Sequence, residues 1–353
     1  MSSTIGNVIK YSLFGESHGP AIGMTISGLP AGLEIDETAI DSALDKRRTG
    51  GRLTSARCEA DRVEWLSGLY NNITTGAPLT FIIKNGDQRP SDYDALRDIV
   101  RPSHADYSAY VKYGGHNDKR GGGMFSGRLT ACYVVAGTIV RQLLKTLNIE
   151  IRADIVQLGE LKIPQDAIID RTVAWLEGLS DDYKRQVSNL LELAVSIEDS
   201  LGGRLRAVVE GLPAGVGEPH FNNVESVLAQ YLYAVPGLKS LGFGDAEQFA
   251  FKRGSEVADC ARYKDGQVMH DANHNGGVFG GISNGMPLTL DCVFKATPSL
   301  GRSLPTVDVI EVKNMLIKTG GRHDPAFVVR TPIVVESVIA MALYDLMRLG
   351  NFL

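Results

Sequence analysis

One short phrase occurs twice in this chain. Ile26-Ser27-Gly28-Leu29-Pro30-Ala31-Gly32-Leu33 returns as Val209-Glu210-Gly211-Leu212-Pro213-Ala214-Gly215-Val216. Each copy follows a β-like run (Ile22 to Ile26; Leu205 to Val209) and precedes a helical pattern, so the chain reads as two strand–turn–helix units of one kind. In the first unit Asp36 is the natural helix cap, and Arg47 and Arg48 arrive at the helix end, where cations suit the dipole. In the second, Asn222 is expected to cap, with Glu225 three residues on as in a capping box. Val224, Val227, Leu228, Tyr231 and Leu232 then form an apolar stripe at helical spacing. A match this short also arises by chance; with its flanking patterns it predicts an α+β core with internal pseudo-duplication.

Around these units, Leu79 to Ile83 and Leu288 to Phe294 read as strands, the latter by strict alternation. Leu129 to Leu144 is apolar around most of its circumference and predicts a buried helix; Val334 to Leu349 predicts another. Residues 164–200 are more polar, with Val187, Leu190, Leu191 and Ala194 on one face, and read as a peripheral insertion. No linker divides the chain, so residues 1–353 are expected to form a single domain. The net charge of −5 offers no general attraction to nucleic acid or to an acidic membrane. Cys58, Cys132, Cys260 and Cys292 have no metal or CxxC spacing, and no HExxH or spaced His/Asp set argues for a metal. With no signal-like N-terminus and no membrane-length apolar run, the expectation is a soluble, cytoplasmic protein.

Against this acidic background the basic residues cluster: Lys46, Arg47, Arg48, Arg52, Arg57 and Arg62 lie close together. Taken alone, they could equally be a solvated face or a local anion site. Three glycine-flanked stretches favour the anion. They are Gly15-Glu16-Ser17-His18-Gly19-Pro20, Gly121 to Arg128, and Gly320-Gly321-Arg322-His323-Asp324-Pro325. Glycine admits a ligand close to the backbone, and guanidinium forks bind carboxylate or phosphate at two points. Gly121-Gly122-Gly123 leads toward a helix start, a ready anion site, although it is neither a P-loop nor GxGxxG. His18 and His104, the latter beside Arg101 and a possible orienting carboxylate in Asp106, are the candidates for proton transfer. His116, His220 and His270 read as surface groups. Asp324 is either a salt-bridge partner or a proton acceptor. Asn273 to Gly285 and Lys295 to Ser299 offer further backbone and hydroxyl donors suited to a phosphate tail or a heterocycle edge.

Gly15 to Pro20, Arg101-Pro102-Ser103-His104-Ala105-Asp106, Ser126-Gly127-Arg128 and Arg322-His323-Asp324-Pro325, in this order, resemble the chorismate synthases, and the resemblance runs from Ile5 to about Leu346. It implies a β–α–β sandwich core and a homotetramer. It implies a carbon–oxygen lyase that converts 5-enolpyruvylshikimate 3-phosphate to chorismate and phosphate, the last common step toward the aromatic amino acids. The family requires reduced FMN, supplied either with NADPH by the enzyme itself or by an external flavin reductase; no dinucleotide fingerprint is visible here.

By the same resemblance His18 protonates the departing phosphate and His104 faces the flavin's N1/O2 edge. Asp324, helped by Ser17, passes on the ring proton. Arg47, Arg48, Arg52, Arg101, Ser126, Arg128 and Arg322 match the substrate-binding positions. Met124, Phe125, Ser126, His274, Asn275, Gly280, Lys295, Ala296, Thr297, Pro298, Ser299 and Arg322 match the FMN-binding segments. One departure is clear: the family's usual Arg-Ser-Ser-Ala-Arg-Glu-Thr is here Met124-Phe125-Ser126-Gly127-Arg128-Leu129-Thr130. A phosphomutase or phosphatase, which would need a metal set or nucleophile, and a non-catalytic anion binder are the rival readings.

Overall fold

A computed structural model of the protein describes residues 3–48, 61–86, 96, 98–318 and 324–353. The first half opens with strands β1 (Thr4–Ile5), β2 (Lys10–Gly15) and β3 (Ala21–Ser27), then helix α1 (Glu37–Arg47) and β4 (Val63–Ser67). A small hairpin, β5 (Leu69–Tyr70) and β6 (Ile73–Thr74), leads to β7 (Leu79–Lys84), α2 (Asp106–Tyr113) and α3 (Thr130–Lys145). The second half runs β8 (Glu150–Leu158), β9 (Leu161–Lys162), α4 (Asp181–Ser196), β10 (Gly203–Glu210), α5 (Val224–Leu232) and β11 (Leu238–Phe243). Two hairpins follow, β12 (Ala261–Lys264) with β13 (Gln267–His270) and β14 (Val278–Phe279) with β15 (Ile282–Ser283). The chain then forms β16 (Leu288–Phe294), a third hairpin of β17 (Ser303–Asp308) and β18 (Lys313–Lys318), and α6 (Pro332–Leu349).

The duplication expected from the repeated phrase is present in the topology. One sheet has the order β1-β2-β3-β7-β4 and the other β11-β16-β10-β8-β9, so β2-β3-β7-β4 corresponds to β8-β10-β16-β11, each antiparallel throughout. Each half places a helix after its second strand (α1, α5), a small hairpin before its fourth (β5–β6, β14–β15), and a long helix after it (α3, α6). The repeated phrase makes the same bonds twice. Thr74 Oγ1 donates to Pro30 O at 2.7 Å and accepts from Leu33 N at 2.9 Å. Ser283 Oγ donates to Pro213 O at 2.6 Å and accepts from Val216 N at 2.9 Å. Gly28 and Gly211 both need φ near +94° and +78°, the left-handed region that glycine enters without strain.

The strands form where apolar residues alternate. Ile22, Met24 and Ile26 of β3, Leu79, Phe81 and Ile83 of β7, and Leu288, Leu290, Cys292 and Phe294 of β16 are all buried. The two sheets enclose the helices: α3 packs against β3, α6 against β8 and β10, and α3 against α6, giving a β–α–β sandwich whose filling is two helices deep. This explains helices that are apolar nearly all round. From Pro332 to Met347, α6 is buried except at Glu336, which accepts from Arg141 Nη1 at 2.7 Å and from Ala153 N at 3.0 Å. Its other carboxylate, Asp345, is fully buried and accepts from the backbone N–H groups of Asn7, Val8 and Ile9 at 2.7, 2.7 and 2.9 Å. Among the described residues no helix is long and apolar enough to cross a membrane.

The structure also corrects and refines the sequence reading. Asp36 caps α1 through Ala39 N, as expected, but the cap of α5 is Asn223, bonded to Ser226 N at 2.6 Å. Asn222 instead ends a preceding 3₁₀ turn, His220–Asn222. Residues 159–202 connect β8 and β9 to β10 and contain α4, whose Val187, Leu191 and Ala194 are buried; the first half spans the corresponding gap with residues 16–20 alone. Cys132 and Cys292 are buried free thiols, Cys260 is exposed, and Cys58 lies outside the described residues.

At the α3–α6 crossing, a Cβ on Gly137 would lie 2.4 Å from Ser337 Cα and 2.6 Å from Ser337 O. These are backbone atoms and cannot yield without separating the helices. Gly137→Ala should therefore destabilise the protein by roughly 1–3 kcal/mol, overriding the ~1 kcal/mol that alanine gains over glycine within a helix. Urea unfolding midpoints test this; an equal or higher midpoint for the variant would refute the close crossing.

Candidate active site

Two long connections occupy equivalent places in the two halves: residues 85–129, between β7 and α3, and residues 295–331, between β16 and α6. They meet. His104 Nε2 lies 2.9 Å from Ser299 Oγ, and Lys295 Nζ donates to Ser103 O at 2.7 Å. The Phe327 ring lies where a Cβ on Gly127 would come within 2.9 Å of it. Most of the described candidates lie on these connections or on the loop 16–20 between β2 and β3.

That loop turns back on itself through Gly19 N to Glu16 O, 3.0 Å, and buries both Ser17 and His18. Ser17 Oγ is 3.0 Å from His18 Nδ1, and Ser17 N donates to Gly123 O at 3.1 Å. Gly121, at φ +62°, brings its backbone onto the imidazole so closely that a Cβ there would fall 2.3 Å from His18 Cε1. The glycine loop therefore serves first as the wall against which His18 is set. It continues through two 3₁₀ turns, Gly123–Phe125 and Gly127–Leu129, before α3 begins, with Ser126 Oγ accepting from Arg128 N at 3.2 Å. Met124 and Phe125 are exposed beside Tyr113, whose ring lies 6.5 Å from that of Phe125.

Arg101 anchors the glycine loop from the other side, donating to Gly121 O at 2.8 Å. Its Nε and Nη2 also grip Asp106, both at 2.7 Å. Asp106 is therefore the partner of Arg101 and does not orient His104. The ring of His104 is set instead by Pro102 O, 3.0 Å from Nδ1. A carbonyl can only accept, so Nδ1 carries the proton and Nε2 accepts from the Ser299 hydroxyl. Burial, with the nearby cation Arg101, lowers the His104 pKa to about 4, only partly offset by Pro102 O and Asp106. The imidazole is neutral at pH 7.

Arg47 and Arg128 converge on one buried carboxylate, Asp61. Arg47 Nη2 donates to it at 3.0 Å and Arg128 Nη1 makes a shorter contact. Burial alone would raise the Asp61 pKa, but the two guanidinium groups more than offset this and leave it below the usual carboxylate range. Burial brings Arg47 down to about 10; Asp61 opposes the shift, while Arg330 and Arg128 deepen it. Arg330 thus belongs to the same cluster. It donates to Asp324 Oδ2 at 2.5 Å, and its guanidinium stands 5.1 Å from the Phe327 ring centroid. Asp324 Oδ1 also accepts from Ala326 N at 3.1 Å.

The remaining basic residues of the 46–62 cluster separate. Lys46 Nζ donates to Arg171 O, Arg48 pairs with Asp45 at 2.6 Å, and Arg62 is exposed. Arg52, Arg57, Arg322 and His323 lie outside the described residues. Of the segment Lys295-Ala296-Thr297-Pro298-Ser299, Thr297 is tied to the far end of its own connection, through Phe327 N to its Oγ1 (3.2 Å), and to the segment before β10, through Ser200 Oγ to its carbonyl (2.6 Å). His274, Asn275 and Gly280 are not brought here within one chain. His274 is held by Asp245 at 2.7 Å, both residues take Asp259 through their backbone N–H groups, and Gly280 lies in the β14–β15 turn. They neighbour the start of β16, where Thr289 N meets Gly276 O, whereas Lys295 follows its end; the strand separates them by about 20 Å.

Sequence reasoning missed Asp61, Asn85, Phe327 and Arg330. None stands in a glycine motif, and only the folded contacts reveal them.

A family profile described as chorismate synthase matches residues 9–348. The chorismate synthase of Aeropyrum pernix is 40% identical over 99% of this chain and 94% of its own, and that of Korarchaeum cryptofilum 40% identical over 96% of each. That of Dehalococcoides mccartyi is 39% identical over 98% of this chain and 96% of its own. A crystal structure titled chorismate synthase superposes with a TM-score of 0.74 at 21% identity, covering 97% of this chain and 92% of the other; it speaks for the fold.

The depressed pKa of His104 has a measurable consequence. The unfolded imidazole takes up a proton near pH 6.5 and the folded one near 4. Between these values the unfolded state binds more protons, so the stability associated with neutral His104 is complete above pH 6.5 and is lost as the pH falls toward 4. Urea midpoints of the wild type should fall relative to those of His104→Gln across that window; a constant difference would show that His104 titrates normally.

Proposed function

The chain belongs to the chorismate synthase family, and from that premise we propose how its residues divide the work. The enzyme is a carbon–oxygen lyase of aromatic amino-acid biosynthesis. In a 1,4-elimination, the C–O bond of 5-enolpyruvylshikimate 3-phosphate to its phosphate breaks, a ring C–H bond is lost, and chorismate forms with no net redox change.

One observation carries the assignment of roles: the two equivalent connections meet at His104–Ser299, beside a buried cluster with more cations than anions. Among the described residues, Arg47, Arg128 and Arg330 gather around Asp61 and Asp324. The substrate brings two carboxylates and a phosphate, the charges such a cluster lacks. Arg47, Arg48 and Arg128 with Ser126 bind these anions, joined by Arg52 and Arg322; Arg101 holds the glycine loop against His18. Each charge-assisted contact contributes on the order of 1.5–3 kcal/mol. His18, set by Ser17 and Gly121, gives a proton to the leaving phosphate. Asp324 takes the ring proton or passes it on, held in one rotamer by Arg330.

The cofactor is reduced FMN. The donor set beside His104 suits it: Lys295, Thr297 and Ser299 offer a cation and hydroxyls, and Met124 and Phe125 with Tyr113 present an apolar shelf. By the family resemblance Ala296, Pro298, Ser126 and Arg322 belong to the same binding set. Held there, reduced FMN would supply transient electron donation to the substrate's allylic system. His104 accepts a proton at Nε2 when an anion beside it raises its pKa again. His274, Asn275 and Gly280, remote within one chain, join a flavin site across subunits of a cytoplasmic homotetramer.

Anaerobic turnover should yield chorismate and phosphate with reduced FMN and none with oxidised FMN or without flavin; product in the absence of flavin would overturn the cofactor assignment. Oxidised FMN with NADPH separates a chain that reduces its own flavin from one served by a separate reductase. Asp324→Asn should lower kcat at least ten-fold while KM changes little; a rise in KM at constant kcat would make Asp324 only a salt-bridge partner of Arg330.

A further inference from the structure

We infer that Asn85 is a positioning residue that locks the loop bearing Ser17 and His18 to the guanidinium of Arg128. Asn85 follows the last residue of β7 and is buried. Its Nδ2 donates to Glu16 O at 3.0 Å and to Gly19 O at 2.8 Å, the two carbonyls that bracket Ser17 and His18. Its Oδ1 accepts from Arg128 Nε at 3.0 Å. Its backbone N–H donates to Pro20 O at 3.1 Å. The partners fix the amide orientation: carbonyls only accept and a guanidinium only donates.

No other side chain of this size offers two donors and an acceptor on one rigid plane. An aspartate would turn a carboxylate toward two carbonyl oxygens; a leucine would leave Glu16 O, Gly19 O and Arg128 Nε to find other partners in a buried site. Arg128 is thereby held at three points, by Asn85, by Asp61 and by Lys84 O at 3.3 Å. Within the turn Gly19 N donates to Glu16 O, and Ser17 N ties the turn to Gly123 O. Asn85 therefore sets the spacing between the proton donor His18 and the anion-binding Arg128. That spacing must match the distance between the departing phosphate and the rest of the substrate. In its kinetic consequences the inference rests on the chorismate synthase reading.

The test uses the full chain with Asn85→Ala and Asn85→Asp. Hydrogen exchange followed by mass spectrometry is read at residues 13–20, and turnover is measured with reduced FMN. Asn85→Ala should speed exchange in residues 13–20 while exchange in α3 and α6 stays as in the wild type. It should lower kcat by about 100-fold, the scale of an ångström misplacement, with a smaller change in KM. In Asn85→Asp, a protonated carboxyl can donate to one carbonyl and still accept from Arg128. Its kcat relative to the wild type should therefore rise as the pH is lowered from 8 to 5; because stability follows the same trend for a buried carboxyl, urea midpoints at each pH confirm that the variant is fully folded throughout the assay. Wild-type kcat in Asn85→Ala, unchanged exchange in residues 13–20, or a pH-independent ratio for Asn85→Asp would each overturn the inference. If the wild type itself shows no turnover, the functional reading fails, and the exchange comparison still decides whether Asn85 holds the loop.

Discussion

Two guanidinium groups buried around a single carboxylate impose the central constraint on this molecule. Moving ions out of water costs several kcal/mol each, and a neighbouring opposite charge offsets this only when the geometry is close and the other hydrogen bonds are made. Asp61 supplies that charge to Arg47 and Arg128, and Asn85 and Lys84 O take up further N–H groups of Arg128. Arg330, itself paired with Asp324, adds a further cation to the neighbourhood of Arg47. The described cluster thus places three guanidinium groups around two carboxylates, Asp61 and Asp324, where burial strengthens each interaction. The stiff sandwich, with α3 pressed against α6, keeps these groups from relaxing apart.

The candidate site lies where the two pseudo-symmetric halves differ. Both halves share four strands, a capped helix and a long buried helix, and those parts have kept the same bonds down to Thr74 and Ser283. The connections after the fourth strands have not. One contains α2, His104 and the glycine loop; the other contains the β17–β18 hairpin, Lys295 to Ser299 and Asp324. Because the halves pack through their long helices, the two connections are brought together without any further device. The β2–β3 loop is short and carries His18, while its counterpart is long and includes α4.

Much of the scaffold was legible because its signals are local. The bounds of β16 match its alternating run, and α6 shows itself by its apolar circumference. The cap of α5 was displaced by one residue because a 3₁₀ turn ends at Asn222 and shifts the helix start to Asn223. Asp106 was misassigned because proximity in sequence suggested His104, whereas the carboxylate reaches back to Arg101. Asp61 and Asn85 were invisible for a different reason. Each acquires its role from contacts with Arg128, 67 and 43 residues away, and no periodicity or motif marks such pairs. The glycine-rich run around His274 looked like a ligand cradle; within one chain it forms the turns beside β14–β15.

Asp345 also dictates an order of events during synthesis. The three N–H groups of Asn7, Val8 and Ile9 are satisfied by a carboxylate that leaves the ribosome more than 300 residues later, the bond to Ile9 spanning 336 residues. Until that helix has emerged, these three N–H groups lack their carboxylate and the segment between β1 and β2 is not pinned to α6. Nascent chains arrested before residue 345 are then left with a loose N-terminal strand, open to proteases and chaperones, even when every residue of the first half has been made.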